Sequence, residues 1–428
     1  MKPSVAVIGS GIAGMSVAYY LRHRCDVSVY ERANYPGGHT NTINIQSEGR
    51  SLPVDTGFMV FNETTYPNLT RLFEELKVTT YDTSMSFGVR DAQRRLEFAC
   101  SNGSSFFAQR RNLANPGHWK LYREILAFFA SAKSLIEESP DAEFTLGDFA
   151  RRFDLSERVM NRFVLPMAGA IWSTSRTDLE NFSALPLLRF MENHRMLGVG
   201  IQYQWKTVSQ GSSQYKRKLL NRLPRPVETG RKIEGVGQTE SCAYFHDEEG
   251  ERREFDQIVI ATHADQALEL LESPSEKQKQ LLGAFTYSRN PVTLHSDENV
   301  MPRNRRAWAS WNVLNEGDRN GETRASTHYW MNRLQSLNTT ENIFVSVDYE
   351  GLIRPDRIRW RARYEHPQFN AKAIRAQERL PELNEDGRIS FCGSYFRSGF
   401  HEDALWSGLN VVQTVLAKEG NRHELMPL

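Results

Sequence analysis

Cysteine is scarce in this sequence. The four present, Cys25, Cys100, Cys242 and Cys392, fall in no C-x-x-C or other metal-like spacing. A disulfide framework and a structural zinc site are therefore not expected, and reduced thiols of a cytoplasmic protein are. Long hydrophobic runs are missing too; none approaches the roughly 18 residues that cross a bilayer. An excess of one charge is absent, the net value being +1, so no dedicated nucleic-acid binder is expected, although a local basic patch is compatible with that balance. No signal peptide is expected, because "SVAVIGSGIAG" runs directly into a strand and its turn. Internal repeats and low-complexity tracts are also lacking. What remains is an ordinary globular composition, 39% hydrophobic and 25% charged over 428 residues, enough for about two domains.

The first motif is N-terminal. Val5-Ala6-Val7-Ile8 has the continuous apolar character of a buried parallel strand, and it enters Gly9-Ser10-Gly11-Ile12-Ala13-Gly14, a G-x-G-x-x-G. Ala13, Val17 and Leu21 then recur at helical spacing, and a second strand, Val27–Tyr30, ends at Glu31. A glycine-rich turn alone is weak evidence. Flanked by strand, helix, strand and a distal acid, it predicts a dinucleotide site. Gly9 permits the tight turn, Gly11 lets the backbone approach a pyrophosphate, and Gly14 lets the helix lie close on the strand. The helix N-terminus offers free N–H groups and a positive dipole end to the phosphates, and Glu31 takes ribose hydroxyls.

A second glycine pair, Gly37-Gly38, follows Glu31 by six residues. This arrangement resembles the FAD signature of glutathione-reductase-like and amine-oxidase-like flavoproteins, which usually carry Arg where this chain has His39. The resemblance implies FAD as cofactor, with contacts from the Gly9–Gly14 turn (Gly9, Gly11, Ile12, Ala13, Gly14), from Glu31 and Arg32, and from Gly38 and His39. Thr56, Gly57 and Phe58 follow in "DTGF", and Ala261 ends the "IVIATH" strand. An ordinary polar loop role for His39 stays open. The implied fold is α/β: a Rossmann-type, glutathione-reductase-like FAD domain with an interleaved, amine-oxidase-like α+β substrate domain. The FAD domain is expected from 1–60, 205–268 and 380–428, and the substrate domain from 61–204 and 269–379.

Near the C-terminus, "FCGSYFRSGFHEDALWSGLN" reads as strand, glycine-rich bend and helix. By the same resemblance it returns to the FAD domain. Gly393, Ser394, Asp403, Ala404 and Leu405 then contact the cofactor, and Leu405, Leu409, Val412 and Leu416 form the buried helix stripe. Superfamily members often have Gly-Asp where Gly393-Ser394 stands. Tyr395, His401 and Glu402 are candidates to position substrate or relay a proton, with structural roles competing for each. Amine oxidases often carry a lysine on the strand aligned with Asn290–His295, which here has none. His295 is a candidate base, since an unperturbed histidine titrates near ~6.5; a backbone-bonded strand-end histidine is the alternative. Trp172 and the run His328-Tyr329-Trp330 are candidate cavity residues.

Longer blocks, "DTGFMVFNETTYPNL", "GAIWSTS", "NFSAL", "LHSDENVMP", "WNVLN", "HYWMNRLQ" and "GFHEDALWSGL", resemble the flavin-dependent domain fused ahead of plant cyclopropane fatty acid synthases and its free-standing bacterial relatives. This resemblance implies an FAD-dependent oxidoreductase of the flavin amine oxidase superfamily. Its implied substrate is a methyl-branched or cyclopropane acyl chain of a membrane lipid, with desaturation as one outcome and a lipid methyltransferase as a partner. A soluble amine oxidase and a non-catalytic flavoprotein partner remain alternatives. The stretch "FFAQRRNLANPGHWKLYREILAFF" mixes aromatic residues with Arg110, Arg111, Lys120 and Arg123. It fits either peripheral docking on an anionic bilayer or an amphipathic core helix with a solvated basic face.

Overall fold

Alternation of side chains along the strands separates the N-terminal core into two faces. The computed structural model describes residues 2–172, 179–198, 203–319, 322–349 and 351–418. In it Ser4–Ile8 is the middle strand of a five-stranded sheet ordered Ile389–Phe391, Gln257–Ile260, Ser4–Ile8, Asp26–Glu31 and Glu228–Thr229. Every pairing in it is parallel. Val5, Val7, Val27, Val29 and Val259 share one core with the helices Ile12–Leu21 and His401–Lys418. Ala6, Ile8, Tyr30, Ile258 and Ile260 belong to the other. There a three-stranded antiparallel sheet, Ile233–Gln238, Ala243–Asp247 and Arg252–Phe255, sets Phe245 edge-on against Tyr30 at 4.8 Å. These strands all come from segments 1–60, 205–268 and 380–428.

A seven-stranded sheet is built from the intervening segments, in the order Ile358–Gln368, Thr286–His295, Phe344–Val347, Glu322–Trp330, Trp311–Arg319, Phe87–Asp91 and Leu96–Ala99. Its pairings are antiparallel apart from Trp311–Arg319 beside Phe87–Asp91. The whole is a mixed α/β fold. Helix Pro116–Glu138 covers part of the second unit. It starts where Asn115 accepts from Gly117 N and proline occupies the first turn, and it buries Leu121, Ile125, Phe128 and Phe129. The hairpin Thr42–Ser47/Arg50–Asp55 crosses between the units, because Ile45, Leu52 and Val54 pack with Val292, Leu294 and Val345.

The two helices on the parallel sheet touch through very small residues. A Cβ built on Gly408 would lie 2.5 Å from Ser16 Oγ and 2.7 Å from the Ala13 carbonyl oxygen. Neither helix backbone can retreat without lifting off the sheet. Gly408→Ala is expected to cost about 1–3 kcal/mol through overpacking, read as a lower denaturant midpoint at unchanged slope; an unchanged midpoint would show that the helices separate freely.

Candidate active site

The turn after Ser4–Ile8 closes through Gly9 N donating to Tyr30 O at 2.8 Å. Gly9 has φ +103, and a Cβ on Gly14 would sit 2.0 Å from the Gly9 carbonyl oxygen, so helix and turn are in backbone contact. A Cβ on Gly11 would meet nothing within 4 Å, because that position faces open space. Glu31 is tied to the same turn. Its carboxylate accepts from Ser10 N at 3.0 Å and Ser10 Oγ at 2.7 Å, and its other oxygen accepts from Ala33 N at 2.9 Å.

That open space is a cavity of about 1440 Å3 running from this turn into the second unit. Gly9, Gly11, Ile12, Ala13, Glu31 and Arg32 line one end. Gly38, His39, Gly57, Phe58, Ala261, Gly393, Ser394, Tyr395, His401 and Ala404 line the middle. A single-ligand site usually measures about 300–1,000 Å3, so this one has room for a cofactor and a substrate together. Beyond the middle, the wall is largely apolar, with Phe87, Phe106, Phe107, Ile125, Phe129, Phe163, Met167, Ile171 and Trp172, and it also carries Ser84, Ser86, Ser101, Asn102, His194 and Arg333.

Histidines crowd the middle. His39 is half-buried, with its ring 5.5 Å from that of His366, and its enclosed Nε2 has no partner among the described residues. Burial, then the neighbouring His366, His263 and His401, hold its pKa well below the usual value. His401 stacks on Phe58 at 4.1 Å, and its Nε2 lies 2.6 Å from Tyr215 Oη; burial pulls it down to about 3. His366 bonds Asn290 Oδ1 at 2.6 Å and is pulled down to about 4, chiefly by burial. These rings are uncharged near neutrality. Trp311 Nε1 and Tyr395 Oη are further buried polar atoms on the wall with no partner among the described residues.

Residues 12–353 match the family described as flavin containing amine oxidoreductase. The chain belongs to that family. Cyclohexylamine oxidase from Brevibacterium oxydans IH-35A has a similar structure, with TM-score 0.71 and 15% identity over 99% of this chain and all of that one. A putrescine oxidase triple mutant gives TM-score 0.70 at 14% identity, covering 97% of this chain and 99% of its own. A CLA-producing fatty acid isomerase from P. acnes gives 0.65 at 12%, covering 97% and 98%. Among curated proteins, the uncharacterized protein R656 of Acanthamoeba polyphaga mimivirus is 44% identical over 73 residues, which is 16% of this chain and 15% of that protein.

This flavin amine oxidoreductase is therefore an FAD-dependent enzyme, and its cavity fits the cofactor. The Gly11 cradle is clear of side chains, the helix starting at Ile12 points N–H groups into it, and Glu31 stands at the end of the second strand. Several residues expected at the site lie elsewhere. Gly14 serves the cradle from behind. Thr56 is buried against Tyr364 Oη (2.9 Å), while its neighbours Gly57 and Phe58 face the cavity. Asp403 turns back to accept from Phe400 N at 2.9 Å, which caps its own helix, and Leu405 points into the core below the sheet. Glu402 also faces away. Its carboxylate accepts from Asn68 N at 3.0 Å, Asn68 Nδ2 at 2.7 Å and Leu69 N at 3.0 Å, anchoring the N-terminus of helix Pro67–Glu75.

His295 is no candidate base. It is buried in the seven-stranded sheet with Nε2 2.6 Å from Ser346 Oγ, which also meets His328 Nδ1, and burial lowers it to about 4. Tyr395 does line the cavity, but burial raises its hydroxyl far above the ordinary tyrosine range, so it holds its proton. Trp172 and Tyr329 are on the wall, whereas His328 and Trp330 are not; Ser173–Ser175 of "GAIWSTS" lie outside the described residues. The sequence reading missed His263, His366, Phe190, Phe400 and Arg333, all on the wall. The "ATH" strand end flagged His263's neighbourhood; nothing local marked the others.

Gly11→Ala and Glu402→Ala should separate cofactor binding from scaffolding. The first is expected to purify with wild-type stability and little flavin. The second should retain flavin and lose about 1–3 kcal/mol, the usual cost of stranding buried donors. Flavin content by absorbance and denaturant midpoints check both, and the reverse pattern would exchange the two assignments.

Proposed function

We propose that this enzyme oxidises the acyl chain of a membrane lipid, removing hydrogens from adjacent carbons of a methyl-branched or otherwise modified chain. One observation supports the reading: among the described residues the substrate end of the cavity is largely apolar and carries no carboxylate. Glu31, Glu234, Glu269 and Glu365 are the wall acids among the described residues, and none belongs to the stretches 84–129, 163–198 or 329–333 that form that end. An alkylammonium ion would find no counter-charge among the described residues there. Nor does it find an open aromatic sandwich, since Phe190 and Phe400 stack directly on each other at 4.4 Å. A hydrocarbon chain needs neither.

FAD, when bound, supplies hydride acceptance at its N5. The Gly11–Ala13 backbone and helix start would hold its phosphates, and Glu31 would take the ribose. Phe190, Phe400 and Trp172, whose Nε1 donates to Ser398 O at 3.2 Å, close the space beside His401 and exclude water. His39, His366 and His401, held uncharged by burial, would set dipoles and no fixed cation along the middle of the cavity.

The resemblance to the domain fused ahead of plant cyclopropane fatty acid synthases, together with the isomerase among the structural neighbours, supports a lipid substrate and a lipid methyltransferase as partner. Among the described residues no helix is long and apolar enough to cross a membrane. Peripheral docking is supported instead, at the inner, cytoplasmic leaflet. Leu113, Trp119 and Leu126 are 51%, 43% and 38% exposed, unusual for such side chains, and Trp119 and Leu126 also line the cavity. Arg110, Arg111, Lys120 and Arg123 are exposed around them. Apolar anchors ringed by cations at a cavity mouth fit an anionic bilayer.

Anaerobic mixing of the holoenzyme with total lipid extract is expected to bleach the flavin absorbance, and polyamines are expected to leave it unchanged. Bleaching by polyamines alone would replace the lipid reading with an amine oxidase, and bleaching by NAD(P)H alone would make the enzyme a reductase. For docking, the protein should sediment with phosphatidylglycerol-containing vesicles at low salt, less so at high salt. Unchanged sedimentation of the Arg110→Gln, Arg111→Gln, Lys120→Gln triple variant would count against the surface.

A further inference from the structure

Four cationic side chains line the cavity among the described residues: Arg32, Arg231, Lys232 and Arg333. Arg231 pairs with Asp247 at 3.0 Å and Glu251 at 2.8 Å, and Lys232 pairs with Glu234 at 2.9 Å. Arg32 adjoins Glu31 at the nucleotide end. Arg333 is the exception on the substrate side. It sits in the short helix Met331–Leu334, half-buried, and its guanidinium donates to Ser84 Oγ at 3.2 Å. Among the described residues no carboxylate reaches it. Burial alone pulls its pKa below the ordinary arginine value, with no neighbouring acid acting the other way. A guanidinium has five N–H donors and loses solvation on burial, so a half-buried one served by a single hydroxyl retains unused capacity for an anion.

Its position on the wall gives that capacity a direction. Ser84 leads into Met85, Ser86 and Phe87, all on the wall. Cys100 N donates to Phe87 O at 2.8 Å, which sets Cys100–Gly103 alongside. From there helix Gly103–Phe106 leads to Phe107, whose ring lies 4.6 Å from that of the half-exposed Trp119. Arg333 thus belongs to the same wall as the half-exposed Trp119 and the aromatic residues around it.

We infer that Arg333, with Ser84, forms an anion subsite that binds the acidic head of the acyl substrate, a carboxylate or a phosphate, while the chain extends along the aromatic wall toward the flavin. This rests on the acyl-chain reading and sharpens it. The subsite would select against amines and against uncharged lipids, and it would fix how far along the chain the oxidised carbons lie, because the head is held at a set distance from the cofactor. A bidentate, charge-assisted contact of this kind is strong enough to dominate selectivity among ligands with identical tails.

The test uses the holoenzyme and four probes with one common chain: oleate, oleoyl lysophosphatidate, oleyl alcohol and oleylamine. Dissociation constants are read from perturbation of the flavin spectrum. At least one acid should bind about tenfold or more tightly than the alcohol, as expected for hydrogen bonding to a charged group, and the amine should bind weakest. Preference for oleate identifies a free carboxylate as the natural head, and preference for lysophosphatidate a phosphate. Arg333→Gln should erase the margin over the alcohol while leaving alcohol affinity unchanged, and Arg333→Lys should keep part of it. Equal binding of acids and alcohol by the unmodified enzyme overturns the subsite whatever the variants do, as does a margin that survives Arg333→Gln. If the alcohol binds and the acids gain nothing, the subsite alone fails. If none of the four perturbs the flavin, the acyl-chain reading fails and the subsite falls with it.

Discussion

Backbone contact between the first helix and the turn that precedes it is the constraint from which the rest of the site follows. With Gly14 against the Gly9 carbonyl, and Gly408 against Ala13 and Ser16, two helices lie on the parallel sheet with almost no side chain between them. Their N-termini then converge on one space. A single methyl group at either glycine would need an ångström-scale displacement, which close-packed interiors accommodate poorly. The nucleotide cradle at one helix start and the bend at Gly393–His401 before the other are consequences of the same close approach.

Charge is distributed along the cavity in a pattern that suits its proposed use. Glu31 and Arg32 mark the nucleotide end, histidines occupy the middle beside Glu365, which lies 3.4 Å from His263, and the far wall is largely hydrocarbon, with Arg333 there lacking an acid partner among the described residues. Burial is what keeps the histidines uncharged: desolvation is the largest cause of the lowered pKa at His39, His366 and His401 alike. A cationic substrate would meet no acid at the far wall among the described residues. An alkyl chain pays only the loss of its own conformational freedom.

The nucleotide end was legible in the sequence because its residues are local. Gly9, Gly11, Gly14 and Glu31 lie within one strand–helix–strand unit, and the spacing of such a unit is set by backbone geometry. The helix stripe Leu405, Leu409, Val412 and Leu416 was legible for the same reason, and all four are buried. Periodicity shows that a residue points inward, however, without showing whether "inward" means the core or the cavity. Glu402, Asp403 and Leu405 share a turn and a half of helix with His401 and Ala404, yet only the latter two reach the cavity. Thr56 and Gly57 divide in the same way. His295 carried the right chemistry on a strand of the right sheet, and the sheet's register turned it toward Ser346 and His328.

Sequence alone determined the strand–turn–helix–strand of the nucleotide end, since it depends on short-range patterns of glycine, apolar runs and turn residues, while the α/β class and the interleaved domain plan came from the family resemblance. The tertiary structure decided which side chains share the cavity. His39, His263, His366 and His401 come from four separate segments, and Arg333 meets Ser84 across a separation of 249 residues. Such meetings are fixed by how the sheets pack, and packing is a property of the whole chain that no local spacing encodes.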